Sequence, residues 1–338
     1  MRVLVTGGCG YIGSHTIVDL LQNGHTVICL DNCSRASTAT IDRIEKITGV
    51  RVPFLHMNLE DPRLIRVLQL YRGIDAVIHF AAFKAVGESV QNPLMYYDNN
   101  LRPLINLLHA CDKLSIKNVV FSSSCTVYGE PDAIPVSEDT QIKPASSPYG
   151  ATKQMGERIL TDWATRPSAN VKVSLLRYFN PAGAHPSTEL GEETADSPQN
   201  LTPVLVQVAA GKRPELQVFG GDYPTRDGSC VRDFIHVCDI AAAHRKALEH
   251  MLDGRQEESV SVFNLGAGTG VTVVEAVRAF EMATGLTVPH RIVERRPGDV
   301  SAIYGDNTKA REVLGWTLQY GLEDIMRTAW AYFLKRQS

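Results

Sequence analysis

Two residues four positions apart carry the sharpest chemical signal in this 338-residue chain, Tyr149 and Lys153. On a helix that spacing sets both side chains on one face. A free tyrosine has a pKa of about 10, too high for a base at neutral pH. A neighbouring ammonium, together with an oxidised nicotinamide, favours the phenolate and lowers that value. Such a tyrosine can take a proton from an alcohol while hydride leaves the same carbon. Ser122-Ser123-Ser124 lies upstream at the end of an expected strand, and Ser124 can hydrogen-bond the reacting hydroxyl. Tyr-x-x-x-Lys also arises by chance, so its weight comes from standing on the helix after that serine run.

Such chemistry needs a place for a dinucleotide. Thr6-Gly7-Gly8-Cys9-Gly10-Tyr11-Ile12-Gly13 follows the first expected strand and opens the first expected helix. Gly8, Gly10 and Gly13 satisfy G-x-G-x-x-G, and Gly7, Gly10 and Gly13 satisfy a wider glycine spacing. Glycines there let a pyrophosphate approach the backbone at the N–H end of a helix. Asp31 ends the second expected strand, 18 residues after Gly13. A carboxylate in that position accepts from ribose hydroxyls and repels a 2′-phosphate, which selects NAD over NADP. Arg35 argues the other way. Asn58-Leu59 and Phe80-Ala81-Ala82 follow the third and fourth strands, where either cofactor contact or plain packing explains them.

The elements that must hold these residues alternate. Strands are expected at Val3–Thr6, Thr26–Leu30, Val50–Leu55, Asp75–Phe80, Asn118–Phe121 and Val171–Leu176. Helices are expected at Ile12–Gln22, Asp61–Leu70, Pro93 to about Leu114, and Tyr149–Trp163. The pattern predicts an α/β fold, a Rossmann-like doubly wound parallel sheet. After about residue 178 the texture becomes loop-rich, with a helix near Asp239–Met251, a strand Val260–Leu265 and a helix Thr272–Thr284. This divides the chain into residues 1–178 and a smaller C-terminal α/β substrate unit over 179–338, with room for some of its segments to return to the main sheet.

Composition excludes several classes. Lys and Arg total 34 against 37 Asp and Glu, a formal charge of −3 that does not suit a general nucleic-acid binder. No apolar run reaches the roughly 18 residues of a membrane span. The glycine-rich N-terminus does not read as a signal peptide. Seven cysteines without a C-x-x-C pair suggest free thiols in a reducing cytoplasm and no metal site.

The glycine turn, Asp31, Ser124 and the Tyr149/Lys153 pair resemble the extended short-chain dehydrogenase/reductases that act on nucleotide sugars. Gly10 to Thr16, Lys84 to Ser89, Tyr96 to Asn100, Ser122 to Gly129 and Val231 to Val237 extend the resemblance, along nearly the whole chain, to the 4-epimerase branch of that family. The resemblance implies exchange of UDP-glucose and UDP-galactose through a 4-keto sugar, with tightly held NAD and no net redox change. UDP-N-acetylhexosamines are a possible further substrate class. It implies NAD contacts from Tyr11, Ile12, Asn32, Asn58, Leu59, Phe80, Ala81, Ala82, Lys84, Asn99, Ser122 and Tyr178. It implies substrate contacts from Lys84, Ser124, Phe179, Asn180, Asn200, Leu201, Gln217, Phe219, Arg232, Arg296, Asp299 and Ile303. It also implies a homodimer in which the helices at Pro93–Leu114 and Tyr149–Trp163 form a four-helix interface.

A nucleotide-sugar dehydratase or decarboxylase would share the Tyr/Lys pair, but carries acidic residues just after the serine run. Cys125, Thr126 and Val127 stand there. A non-catalytic dinucleotide sensor would tend to lack the tyrosine or the lysine. Cys9, Cys125, Asn58 and Arg35-Ala36 depart from the family's usual residues.

Overall fold

The computed structural model describes residues 1–167, 169–193, 200–296 and 300–337. The first half alternates as β1 (Arg2–Thr6), α1 (Tyr11–Gln22), β2 (Thr26–Asp31), α2 (Ala39–Thr48), β3 (Phe54–His56), α3 (Leu64–Leu68), β4 (Ala76–His79), α4 (Val86–Gln91), α5 (Pro93–Leu114), β5 (Asn118–Ser124), α6 (Pro148–Thr165) and β6 (Lys172–Tyr178). The remainder adds β7 (Asn180–Ala182), α7 (Leu201–Ala209), β8 (Leu216–Phe219), β9 (Val231–Arg232), β10 (Phe234–His236), α8 (Val237–Leu252), β11 (Val260–Leu265), β12 (Val271–Thr272), α9 (Val273–Thr284), β13 (His290–Val293), α10 (Thr308–Leu314) and α11 (Leu322–Gln337).

Seven parallel strands form the main sheet in the order β11-β6-β5-β4-β1-β2-β3. This is the Rossmann arrangement, and the order reverses between β1 and β4, opening a crevice at their carboxyl ends. Every residue of β4 is buried, as a strand covered on both faces requires. One face packs Ile17 and Leu20 of α1 and Ile240 and Leu248 of α8 against the sheet. The other packs Leu104 and Leu107 of α5 and Leu160 of α6. Each such side chain contributes about 1.5–3 kcal/mol by burial. A third core joins α7, α9 and α11 around β8 and β10.

Local chemistry sets the helix that carries the Tyr/Lys pair. Ser147 caps α6 by accepting from Gly150 N–H at 3.1 Å. Pro148 follows at the first helical position, where its missing N–H costs nothing. The third strand begins at Phe54 instead of Val50, because Pro53 has no N–H for the ladder and joins only through its carbonyl to Cys29 N–H. The expected helix Asp61–Leu70 shrinks to Leu64–Leu68, since Asp61 closes a turn onto Arg63 N–H. α2, α4, α7, α10 and α11 had no counterpart in the pattern reading.

Candidate active site

The turn after β1 is shaped by glycine at two positions. Gly7 adopts φ +70°, and a Cβ there would meet Ala81 N at 2.6 Å. A Cβ on Gly13 would meet Gly7 O at 2.3 Å. The backbone therefore doubles over itself against the end of β4, bringing Phe80 and Ala81 beside the turn. α1 begins at Tyr11, so the N–H groups of Tyr11, Ile12 and Gly13 start the helix without intrahelical acceptors. Asp31 accepts from Cys9 N–H at 3.0 Å and from Cys33 N–H at 2.8 Å. Those bonds aim its carboxylate from the end of β2 across the glycine turn, although burial raises its pKa. Arg35 donates to Glu88 at 2.7 Å and lies 4.7 Å from the Phe83 ring centre. Its charge is thereby partly matched within the protein.

Asn32 and Asn58 are exposed and shape their own turns by accepting from Ser34 and Glu60 N–H, while Leu59 is buried. Ala82 follows Ala81 at the same half-buried strand exit. Phe80 packs on His244, with ring centres 4.6 Å apart. Tyr11 donates its hydroxyl to Gly183 O at 2.6 Å, so its side chain ties the turn to the second half of the chain.

The reacting groups sit one strand further along. Ser124 accepts from Thr126 N–H at 3.2 Å and from Thr126 Oγ1 at 3.0 Å. Ser124 also neighbours Tyr149, and its influence lowers the phenol's pKa. Desolvation is the larger influence and pushes Tyr149 up to about 12. Lys153 is buried and donates to Ser122 O at 2.5 Å. Its Nζ lies 4.9 Å from the Phe121 ring centre and 5.9 Å from that of Tyr149. Burial drives Lys153 down to about 8. In the protein alone desolvation sets the direction of the tyrosine's shift and Ser124 opposes it; the expected lowering invokes the nicotinamide as well as the lysine. Tyr178 hydrogen-bonds Ser122 through its hydroxyl, and Asn99 donates to Asn100 Oδ1 at 2.9 Å.

Beyond β6 the chain builds a facing wall. Cys125, Phe179 and Ile303 share one small apolar cluster with Tyr128. Burial pushes the Cys125 thiol up to about 12, so it stays protonated and serves as wall. Asn180 lies on β7 and is anchored through its N–H to Asp233 O. Gln217 and Phe219 point to the same side of β8, and the Arg296 guanidinium lies 5.2 Å from the Phe219 ring centre. Arg232 donates to Val300 O at 2.9 Å. Lys84 and Asn200 both donate to Glu192 Oε1, at 2.8 and 3.0 Å. Leu201 opens α7 directly after Asn200. Asp299 lies outside the described residues.

Several site-building residues were not singled out from sequence. Glu157 and Arg177 form a buried ion pair at 2.6 Å behind Lys153. Glu157 stands four residues after Lys153, so the spacing that revealed Tyr149 and Lys153 extends one more turn. Asp233 accepts from the N–H groups of Ala267, Gly268 and Gly305. Glu192 gathers Lys84 and Asn200.

A family model described as GDP-mannose 4,6 dehydratase matches residues 4–329. A UDP-glucose 4-epimerase of Bacillus subtilis is 48% identical, covering 98% of this chain and 96% of its own. One from Dictyostelium discoideum is 45% identical, covering 98% and 95%. The chain belongs to the UDP-glucose 4-epimerase family. Solved structures of such epimerases share the fold throughout. The Stenotrophomonas maltophila enzyme, described with bound NAD and formylated UDP-arabinopyranose, superposes with a TM-score of 0.96 at 44% identity, with both chains covered completely. The Bifidobacterium longum enzyme, in complex with NAD+ and UDP, gives 0.94 at 42% identity over 100% and 99% of the two chains. The dehydratase description of the wider family does not conflict with epimerase membership. The positions that would supply extra acid–base groups, Cys125, Thr126 and Val127, form a short 3₁₀ turn with no carboxylate.

Proposed function

We propose that this chain interconverts UDP-glucose and UDP-galactose, as an isomerase that keeps NAD bound throughout. The observation that carries the reading is the buried Lys153 ammonium, bonded to Ser122 O and 5.9 Å from the Tyr149 ring centre, with Ser124 on the same strand as Ser122, beside the strand ends that flank the glycine turn. The residues present fit NAD. The backbone of the turn is bare where a Cβ would clash, Asp31 is held facing that turn, and small residues follow β4. Bound there, NAD would accept hydride from sugar C4 and return it. Tyr149 takes the proton of the C4 hydroxyl, with Ser124 bonded to the same oxygen. The Lys153 ammonium stabilises the phenolate, and the low pKa of its buried site keeps it responsive to nearby charge. Tyr149 then reprotonates the 4-keto oxygen after the sugar has presented its other face.

Residues 179–338 would grip the nucleotide. Gln217 and Phe219 flank the base, Arg232 and Arg296 meet the diphosphate, and Asn180, Asn200 and Leu201 meet the diphosphate or sugar. Lys84 and Phe179 complete the contacts, Asp299 accepts from the ribose, and Ile303 bounds the sugar. Bidentate guanidinium groups suit pyrophosphate oxygens. We also infer a homodimer through α5 and α6, supported by exposed Leu94, Met95, Ile105 and Met155 on those helices. A cytoplasmic location and a role in galactose metabolism accord with seven free cysteines and with that substrate pair. Among the described residues no helix is long and apolar enough to cross a membrane.

The test is NMR of products from UDP-galactose, supplied to the purified chain without added cofactor. UDP-glucose is the expected product. A dehydrated sugar, or a requirement for external NAD(P)H, overturns the reading. UDP-N-acetylgalactosamine in a parallel sample reports whether the pocket beside Ile303 admits an acetamido group. For the dimer, Leu94→Glu should lower the sedimentation coefficient to that of a single chain, and an unmodified chain that already sediments as one removes the dimer.

A further inference from the structure

We propose that Glu157 is a positioning residue for this reaction: its carboxylate locks β5 and β6 onto the helix bearing Tyr149 and Lys153, and holds a negative charge beneath the Lys153 ammonium. The inference rests on the epimerase reading for its catalytic consequence, but its geometry stands alone. Glu157 is buried on α6, one turn beyond Lys153. Glu157 Oε1 accepts from Ser123 Oγ at 2.5 Å and from Arg177 Nε at 2.9 Å, and Oε2 accepts from Arg177 Nη2 at 2.6 Å. Ser123 lies between Ser122, whose carbonyl receives Lys153, and Ser124, which neighbours Tyr149 and lowers its pKa. Arg177 directly precedes Tyr178, which reaches Ser122. One carboxylate therefore sets the register of three elements at the point where all the reacting side chains leave them.

The same carboxylate acts on charge. Lys153 is faced by Tyr149 and Glu157 from its own helix, by the Ser122 carbonyl and the Phe121 ring from β5, and by His79 from β4. On β6, Arg177 points to Glu157, and Tyr178 reaches Ser122. Burial drops His79 to about 3, so it carries no charge at neutral pH. Glu157 opposes the desolvation of Lys153 and raises its pKa. Without that charge the ammonium would lose its proton more readily, and with it the support for a phenolate.

The experiment follows Lys153 directly, by NMR of ¹³Cε-lysine-labelled protein titrated with pH, the resonance being assigned with Lys153→Arg. In Glu157→Gln the Lys153 midpoint should fall by about one pH unit or more. The alkaline limb of kcat for UDP-galactose should move down by the same amount, with KM changed less than about threefold. Glu157→Asp, which keeps the charge, should restore the midpoint at least in part. Glu157→Gln leaves Arg177 buried without its carboxylate and could fail to fold, so the double variant Glu157→Gln/Arg177→Met is also titrated against Arg177→Met, a comparison that changes only the Glu157 charge. A Lys153 midpoint unmoved between the parent and Glu157→Gln, or, where that variant fails to fold, between Arg177→Met and the double variant, overturns the proposal. So does a shift that Glu157→Asp leaves wholly in place, because the effect is then packing. If the parent chain fails to epimerise UDP-galactose, the functional reading fails while the NMR titration still decides the role of Glu157.

Discussion

Two buried polar clusters lie one turn apart on α6 and are built on opposite principles. At Glu157 every charge is matched. The carboxylate takes three hydrogen bonds from Ser123 and Arg177, and Arg177 also donates to Tyr128, which donates to Asn264. At Lys153 the ammonium has one carbonyl and two aromatic rings as near neighbours, and its proton is loosened. The first cluster resists change because each group is saturated. The second is left undersaturated, so that a small change in nearby charge alters who holds a proton. A buried group short of partners is a destabilising feature that the fold keeps for chemistry, and the saturated cluster next to it keeps that feature in place.

The comparison breaks most readily at the tyrosine. Tyr149→Phe should lower turnover of UDP-galactose about a thousandfold while the chain still retains NAD and binds UDP-sugar. Near-normal turnover would show that the undersaturated cluster is not the base. Next in size is the saturated side. Arg177→Met strands the Glu157 carboxylate in the interior and should reduce folding stability by about 3–5 kcal/mol, read as a lower denaturation midpoint. A loss well below 1 kcal/mol would mean the pair is not the brace described here.

Smallest and opposite in sign is Lys153→Met. The lysine's folded pKa, about 8, lies below its ordinary value of 10.5. Its charged form is therefore disfavoured in the native state. The resulting penalty is complete below pH 8 and fades as pH rises toward 10.5. Lys153→Met should abolish most activity yet stabilise the chain by roughly 1–3 kcal/mol at pH 7, an advantage that disappears at high pH. Destabilisation at pH 7 would show that Lys153 is well satisfied after all, and would erase the contrast between the clusters.

How much was legible in the sequence follows the same line. The sheet, the glycine turn and the Tyr149/Lys153 pair rest on local rules, namely glycine spacing, strand runs and helical period, and these need no knowledge of the third dimension. The Glu157–Arg177 pair joins a helix to a strand across the sheet, and nothing near Arg177 marks its partner. Glu192 reaching Lys84 is longer in range still. Pro53 shifted β3 through a missing N–H that a hydrophobic run does not display. The upward push on Tyr149 in the protein alone was not legible, because spacing reports the neighbouring ammonium but not how far water is excluded from the phenol. Phe219 and Arg296 come together because β8 pairs with β13 and sets Phe219 opposite Val293.

β11 has one more consequence. It pairs with β6 as the outermost strand of the main sheet, although residues 179–259 intervene. A chain emerging from the ribosome completes β6, the strand that carries Arg177 and Tyr178, long before the strand that covers its free edge exists. Through that interval a row of unpaired N–H and C=O groups, flanked by Val173, Leu175 and Leu176, is open to pairing with another nascent chain. Translation pace and chaperone occupancy over residues 179–259 therefore bear on yield more than the stability of the finished protein does. A fragment ending near 178 should precipitate even though it contains the glycine turn and the whole Tyr/Lys pair.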